Sequence, residues 1–490
     1  MSGPGQFRFL NEDGALAAHG WDDPAKAKLW RYNQHYFDDL NADNADARTK
    51  WHVALIEGWI ADNSPGSGTG WEPYPTSLRI VNWVKWSLAG NRLSEGAQHS
   101  LAVQARWLMR RLEWHLLGNH LFANAKALVF AGLFFKGDEA QRWLEKGCEI
   151  LRREIREQIL ADGGQFELSP MYHALALEDV LDLVNIGRAC GRDDLANAWS
   201  GMIPSMLDWL SCMSHPDGRI AFFNDAAFGN APDNAELAAY ARRLGFKAPE
   251  AQGAKRHLSA SGYARLENSQ AVLIADLARV GPDYLLGHAH ADTLSFECSL
   301  GGRRLIVNSG TSVYGVSPER LRQRGTAAHS TLCMEGRDSS EVWSGFRVGR
   351  RARPFDVSVK TEMNALVATA AHDGYRHLPG RPVHRRSWNL SERSLLVGDS
   401  VEGSGRRRME ARFHLGSGLK ARPNGRNRLD LLDETGNPVA VFIATGGEVR
   451  VEQGTWHPEF GESVPNQCIV VFAQAGLPHL FSSTIAWEMP

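Results

Sequence analysis

The stretch LSFECSLGGRRLIV, Leu294–Val307, alternates apolar and polar side chains, breaks at a Gly-Gly pair and then resumes with apolar residues. Successive side chains of an extended chain point to opposite faces, so Leu294, Phe296 and Cys298 share one face. Gly301 and Gly302 suit the two central positions of a tight hairpin turn, and Leu305 and Val307 continue the period of two on the return strand. A hairpin of this kind commits the region to antiparallel sheet. The same period marks Ala271–Ala278 upstream, and turn-punctuated strands run on towards Pro490 without a long helical pattern. That pattern predicts an antiparallel β-sandwich rather than a parallel sheet.

Upstream the period changes. From about Trp51 to Phe246 apolar residues recur at helical spacing, which predicts helices over Leu101–Leu117, Leu121–Phe135 and Leu175–Ile186, each closed near a glycine. Between Asp62 and Gly70 the sequence DNSPGSGTG reads as a loop that delivers Trp71–Tyr74 into the next helix. Around Ala248–Ser261 the helical pattern stops. The chain is therefore divided into a helical domain over residues 1–250 and a β domain over 251–490, as its 490 residues favour.

Composition narrows the function classes. A formal net charge of -2 offers no basic stripe for nucleic acid, so an anionic partner must be met by local positive charge. Six cysteines without a C-x-x-C pair suggest neither a disulfide framework nor a thiolate zinc site. No apolar run reaches membrane-spanning length, and MSGPGQFRFL lacks the pattern of a secretory signal. As written the chain is expected in the cytoplasm, or in the periplasm or outside the cell if a leader has been removed. Sixteen Trp and twenty Phe residues are ordinary core material, and their flat faces also suit sugar rings.

Four polar clusters stand in order along the chain. In GNHLFANAK, Gly118–Lys126, Asn119 and His120 fall at a helix start, where free N–H groups and the dipole can receive a carboxylate; the plainer role of Asn119 is a cap. In FELSPMYH, Phe166–His173, Tyr172 can exchange a proton with a sugar if nearby cations lower its pKa. In GHAHADTLSF, Gly287–Phe296, an extended chain would aim His288, His290 and Asp292 to one face, as a metal site or proton relay requires. Finally, LIVNSGTSVY and RQRGTAAHSTL bring Asn308, Tyr314, Arg324 and His329 to strand ends, where Arg324 could hold a carboxylate.

Together with LWRYNQHYFDDL (Leu29–Leu40), WEPYPTSLRIVNW (Trp71–Trp83), GTSVYG (Gly310–Gly315), TAAHST (Thr326–Thr331) and EVWSGFRVGRRARP (Glu341–Pro354), this ordered set resembles the heparinase II/III-like polysaccharide lyases. The resemblance implies an N-terminal incomplete (α/α) toroid followed by a C-terminal antiparallel β-sandwich. It also implies β-elimination on an acidic, uronic-acid-containing polysaccharide, glycosaminoglycan-like or alginate-like. Asn119 and His120 match the position that neutralises the uronate carboxylate. Tyr172 and His288 match an acid and a base placed on opposite walls, with Tyr172 the acid, and also the base where the two leaving groups share one ring face, and His288 the base where they lie on opposite faces; Arg79, Trp71, Tyr314 and Arg324 are weaker substrate-binding candidates. Family members hold one structural zinc ion through His, Asp and His. His290 and His329 match the histidines, whereas the Asp position is Asn308, a poorer ligand for which Asp292 could substitute. Two other readings stay open: a glycoside hydrolase using Glu167 and Asp225 on the same scaffold, and a polysaccharide-binding protein without turnover. The sequence does not set the oligomeric state.

Overall fold

The computed structural model describes residues 1–247 and 253–487. The expected domain boundary at 250/251 lies outside the described residues. The chain folds as two compact units, one of Met1–Ile159 with Glu178–Gly201, the other of Leu160–Leu177 with Met202–Pro490.

The first unit is built from helices, among them Thr49–Asp62, Pro73–Leu88, Glu95–Met109, Gly118–Phe134 and Asp138–Gln158. Ser94 starts the third of these, its Oγ accepting from Ala97 N at 3.0 Å. The helix expected over Leu101–Leu117 begins earlier and stops at Met109, because the backbone turns over residues 110–117. There the Glu113 carbonyl accepts from both Leu116 N and Leu117 N, and Leu117 and Gly118 take positive φ values of 58° and 54°. Gly118–Phe134 is buried on almost every side and packs on Asp138–Gln158 through two glycines. A Cβ on Gly132 would lie 2.6 Å from Leu144 N, and one on Gly147 would lie 2.7 Å from Ala125 O, so neither position admits a side chain without moving a helix.

The second unit carries two large antiparallel sheets. One orders its main strands Glu448–Trp456, Val464–Gly476, Arg406–Leu415, Arg303–Val307, Phe296–Leu300, Ala271–Asp276, Tyr263–Glu267 and Lys255–Leu258. The other runs Pro354–Glu362, Ala365–His372, Val383–Leu390, Ser394–Glu402, His479–Ala486, Pro438–Thr445, Arg428–Leu432 and Lys420–Pro423. Phe296, Trp388, Phe413, Phe442, Ile469 and Phe481 fill the space between them, each buried side chain worth about 2–3 kcal/mol. The Gly301–Gly302 turn forms as predicted, with φ of 55° and 82° between paired strands.

Residues 202–247 continue the helical pattern yet belong to the sandwich unit, and the reason is packing. Trp209, on helix Ile203–Cys212, and Phe223 meet Tyr263 of the sheet at 6.0 and 5.1 Å between ring centroids. Arg265 NH1 donates to the Cys212 and Ser214 carbonyls at 3.1 and 2.6 Å. Periodicity reports how a segment coils, not which neighbour covers its apolar face. All six cysteines are free thiols, and no described helix is long and apolar enough to cross a membrane.

Candidate active site

The site in the second unit is organised around Asp225, which lies in the otherwise apolar run AFFNDAAF, Ala221–Phe228. Asn224 turns the chain with φ of 56°, a conformation asparagine tolerates. It ties three segments together: its Nδ2 donates to Leu168 O at 2.9 Å, its N to Asp292 Oδ2 at 3.0 Å, and its Oδ1 accepts from His290 N at 3.1 Å. Asp225 is fully buried and accepts from His288 Nδ1 and His290 Nε2, each at 2.8 Å and on different oxygens. Arg320 donates to both oxygens, through NH2 at 2.7 Å and through NH1. Burial opposes ionisation of Asp225, but Arg320, His288 and His290 outweigh it and hold the carboxyl well below its usual range.

An ionised Asp225 fixes both tautomers, because it can only accept. His288 carries its proton on Nδ1 and leaves the Nε2 lone pair as a general base; His290 carries its proton on Nε2 and leaves Nδ1 unprotonated. The Gly287–Phe296 segment is irregular up to Ser295 rather than an extended strand, but the two histidines still address one group, as the alternation suggested.

Tyr172 lies in the first turn of helix Pro170–Ala189, where its N donates to Ser169 Oγ at 3.2 Å. Its ring lies against that of His288, 4.0 Å between centroids and tilted by 32°, and its hydroxyl meets that of Tyr314 at 2.9 Å. The expected acid and base therefore stand side by side rather than on opposite walls. Burial, then Tyr314, Asp225 and Glu167, push the Tyr172 hydroxyl well above 10, so no cation lowers it and it stays protonated, suited to an acid. Glu167 Oε2 lies 3.8 Å from His288 Nε2.

His290 Nδ1 faces His329 Nε2 at 3.3 Å, and with Asp292 they form a buried group whose ligand atoms all lie within 4.8 Å of one another. Burial keeps His290 and His329 neutral, lowering them to about 4 and about 3. A tetrahedral zinc with bonds of about 2.0–2.1 Å sets its nitrogens about 3.3 Å apart, so the donor set fits the ion. Asp225 on His290 Nε2 supplies the outer carboxylate such a histidine usually has. Asn308 is not part of this group: its Nδ2 donates to Phe222 O and Ser295 Oγ, and its Oδ1 accepts from Ser330 N. Asp292 takes the place that Asn308 was expected to hold.

In the first unit Asn119 and His120 stand together at the start of Gly118–Phe134. Asn119 hydrogen-bonds Tyr74, whose ring lies 4.5 Å from that of His120. His120 Nδ1 meets Glu113 Oε1 at 3.1 Å, and Asn124 holds Glu113 through both its backbone N and Oε2, each at 2.9 Å. The remaining substrate-binding candidates are corrected. Arg79 is wholly buried, lies 3.8 Å from the centroid of the Trp59 ring and donates to Gln104, so it braces the core. Trp71 packs between Trp59 and Trp107 and donates to Asn63 O. Arg324 is buried with its guanidinium on the Ala289 carbonyl, which leaves it a backbone tie. Tyr314 alone of the four reaches the site. Sequence reading weighed Asp225 only as a hydrolase carboxylate and passed over Arg320 and Glu113; an acid inside an apolar run was the available signal, since such a charge needs a partner.

Comparison with known proteins agrees with this geometry. Residues 93–243 match the family model described as Heparinase II/III N-terminus, and residues 251–486 match that described as Heparinase II/III-like, C-terminal. A heparin-sulfate lyase of Bacteroides stercoris is 27% identical over 309 residues, 59% of this chain and 44% of that protein. A second, from Pedobacter heparinus, is 25% identical over 244 residues, 45% of this chain and 36% of that protein. The chain thus spans under half the length of these relatives. Among solved structures, a heparinase III aligns with a TM-score of 0.75 at 17% identity, covering 93% of this chain and 76% of that one. The heparan sulfate lyase HepC from Pedobacter heparinus aligns at 0.65 and 21%, covering 99% and 82%. With both halves matched in order and a helical toroid followed by a β-sandwich, the chain belongs to the heparinase II/III-like family.

Proposed function

We propose that this chain is a polysaccharide lyase that cleaves a uronic-acid-containing, glycosaminoglycan-type polymer by β-elimination. The observation that carries the reading is the close contact of the Tyr172 and His288 rings, with Asp225 fixing the His288 tautomer and Tyr314 meeting the Tyr172 hydroxyl. Family membership and the names of the matched relatives support it.

In the proposed reaction His288 Nε2 takes the proton from C5 of the uronate. The electron pair moves into a C4–C5 double bond, and the C4–O4 bond breaks. Tyr172 gives its hydroxyl proton to the departing O4, so no water is consumed. The carbanion beside a carboxylate is costly, and Asn119 and His120 are assigned to stabilise that charge. Tyr314 gives the resulting tyrosinate a hydrogen-bond partner until the proton on His288 returns. An acid and base side by side favour a uronate whose H5 and O4 share one ring face, as in glucuronate, over iduronate, where they lie on opposite faces. His290, Asp292 and His329 are proposed to hold one zinc ion, which when bound braces the loop that carries His288. The hydrolase alternative loses its carboxylate pair, because Asp225 is ionised and committed to four side chains, His288, His290, Arg320 and Thr311.

The test follows absorbance of the unsaturated uronate on heparan sulfate, hyaluronan, chondroitin and alginate. The wild type is expected to raise it, and Tyr172→Phe to abolish the rise while still binding polymer. New reducing ends without absorbance would replace the proposal with a hydrolase; binding without either would replace it with a non-catalytic protein.

A further inference from the structure

The turn at residues 110–117 of the first unit supplies Glu113 to His120, and it also projects the next residue, Trp114, to the surface. Trp114 is 42% exposed and Leu116 39%, whereas most tryptophans of the chain are buried. Aromatic rings and arginines are among the residues enriched at contact surfaces, and both gather here. Lys146 Nζ and the Arg153 guanidinium lie 5.7 and 4.9 Å from the Trp114 ring centroid. They sit seven residues apart on helix Asp138–Gln158, hence on one face.

The same helix end is tied to the Asn119 turn. Gln158 Nε2 donates to Gly118 O at 2.9 Å and to Glu154 Oε2 at 2.9 Å, and Glu154 Oε1 accepts from Arg153 Nε and NH2 at 3.0 and 2.6 Å. Trp114 and its cations are thereby fixed to the frame that positions Asn119 and His120. Glu154 is buried and engages only two of the Arg153 nitrogens, leaving NH1 for another acceptor. Lys146 pairs with Glu149, a 64% exposed carboxylate, and a surface pair of that kind yields readily to a competing anion.

We propose that Trp114, Lys146 and Arg153 form an accessory subsite for an anionic sugar unit of the polymer. The ring supplies a flat apolar face, and the two cations supply partners for a carboxylate or sulfate. The proposal rests on the polysaccharide reading above and adds to it a place where chain length is sensed.

Heparan sulfate is the probe, titrated against the wild type, Trp114→Ala, Trp114→Phe and Lys146→Gln, with absorbance at the double bond and direct binding both followed. Trp114→Ala is expected to raise Kd and KM for the polymer about fivefold or more, the scale of one lost aromatic contact, with kcat held and melting temperature unchanged. Trp114→Phe is expected to recover most of the loss. The rise in KM should be several times larger for the polymer than for the shortest oligosaccharide cleaved. Unchanged polymer Kd and KM in Trp114→Ala and Lys146→Gln overturn the subsite and leave the lyase standing. Trp114-dependent binding with no absorbance rise overturns the lyase and leaves the subsite; absence of binding by the wild type counts against both.

Discussion

Replacing Asp225 by Asn keeps the shape of the site and removes one charge. The carboxylate presents two oxygens to five donors: His288 Nδ1, His290 Nε2, Thr311 Oγ1 and two nitrogens of Arg320. An asparagine offers one oxygen and turns an NH2 group against the others. If the amide nitrogen faces His288, the imidazole must shift its proton to Nε2 and can no longer act as a base. If it faces His290, Arg320 loses part of its partner while remaining fully buried. Breaking a buried ion pair from one side costs about 3–5 kcal/mol. Each kcal/mol moves the melting temperature by about 2–4 °C for a unit of this size, so a drop of about 10 °C is expected. Turnover should fall by about 10³–10⁴, the scale seen when a catalytic histidine is left in the wrong tautomer. Calorimetry reads the first quantity and ultraviolet absorbance on a cleaved polymer the second. An Asp225→Asn protein that melts within 2–3 °C of wild type and turns over within about threefold would refute the claim that this carboxylate sets the tautomer.

Other outcomes follow from the same geometry. Zinc added to metal-free protein should raise the melting temperature, and His329→Ala should leave elemental analysis without stoichiometric zinc; full zinc content in that variant would remove His329 from the ligand set. Acid should destabilise the metal-free chain through its buried histidines. Burial lowers His35, His329 and His414 to about 3 and His173 and His290 to about 4, so the unfolded chain, with histidines near 6.5, binds more protons below that pH. The stability that these histidines contribute is therefore complete above about pH 6.5 and is lost as pH falls towards the folded values, by about 2 kcal/mol per histidine at pH 5. A melting temperature flat between pH 7 and 5 would contradict this. Arg324→Met should lower the melting temperature while leaving KM within about twofold, because the side chain ties backbone and meets no substrate; a selective rise in KM would restore its binding role.

The fold was legible where local pattern decides it. Alternation around Phe296 and the Gly301–Gly302 pair specify a hairpin through φ preferences and the pleat, and these act within a few residues. The helical period failed in two places for a common reason. It carried Leu101–Leu117 through a turn that Glu113 closes with its own carbonyl, and it assigned residues 202–247 to a helical domain although Trp209 and Phe223 bury against Tyr263. Both outcomes depend on groups that only the folded chain brings near.

The candidate site divides along the same line. His288, His290 and Tyr172 could be named from residue type and spacing, because their chemistry is intrinsic. What each of them does is decided by partners far along the chain: Asp225 is 63 residues from His288 and 95 from Arg320, and Tyr172 is 142 from Tyr314. The mistaken arginines show the converse. Arg79 and Arg324 have the chemistry to hold a carboxylate, but burial without a carboxylate partner turns them inward to carbonyls and aromatic faces. Arg320, which no local pattern singled out, neutralises Asp225, so the carboxylate can stay ionised in a buried site and direct a proton to one nitrogen of each histidine. A base whose Nε2 lone pair is turned away from the ion pair and an acid that burial keeps protonated then stand side by side, the first oriented by Asp225 and the second by its contact with the His288 ring.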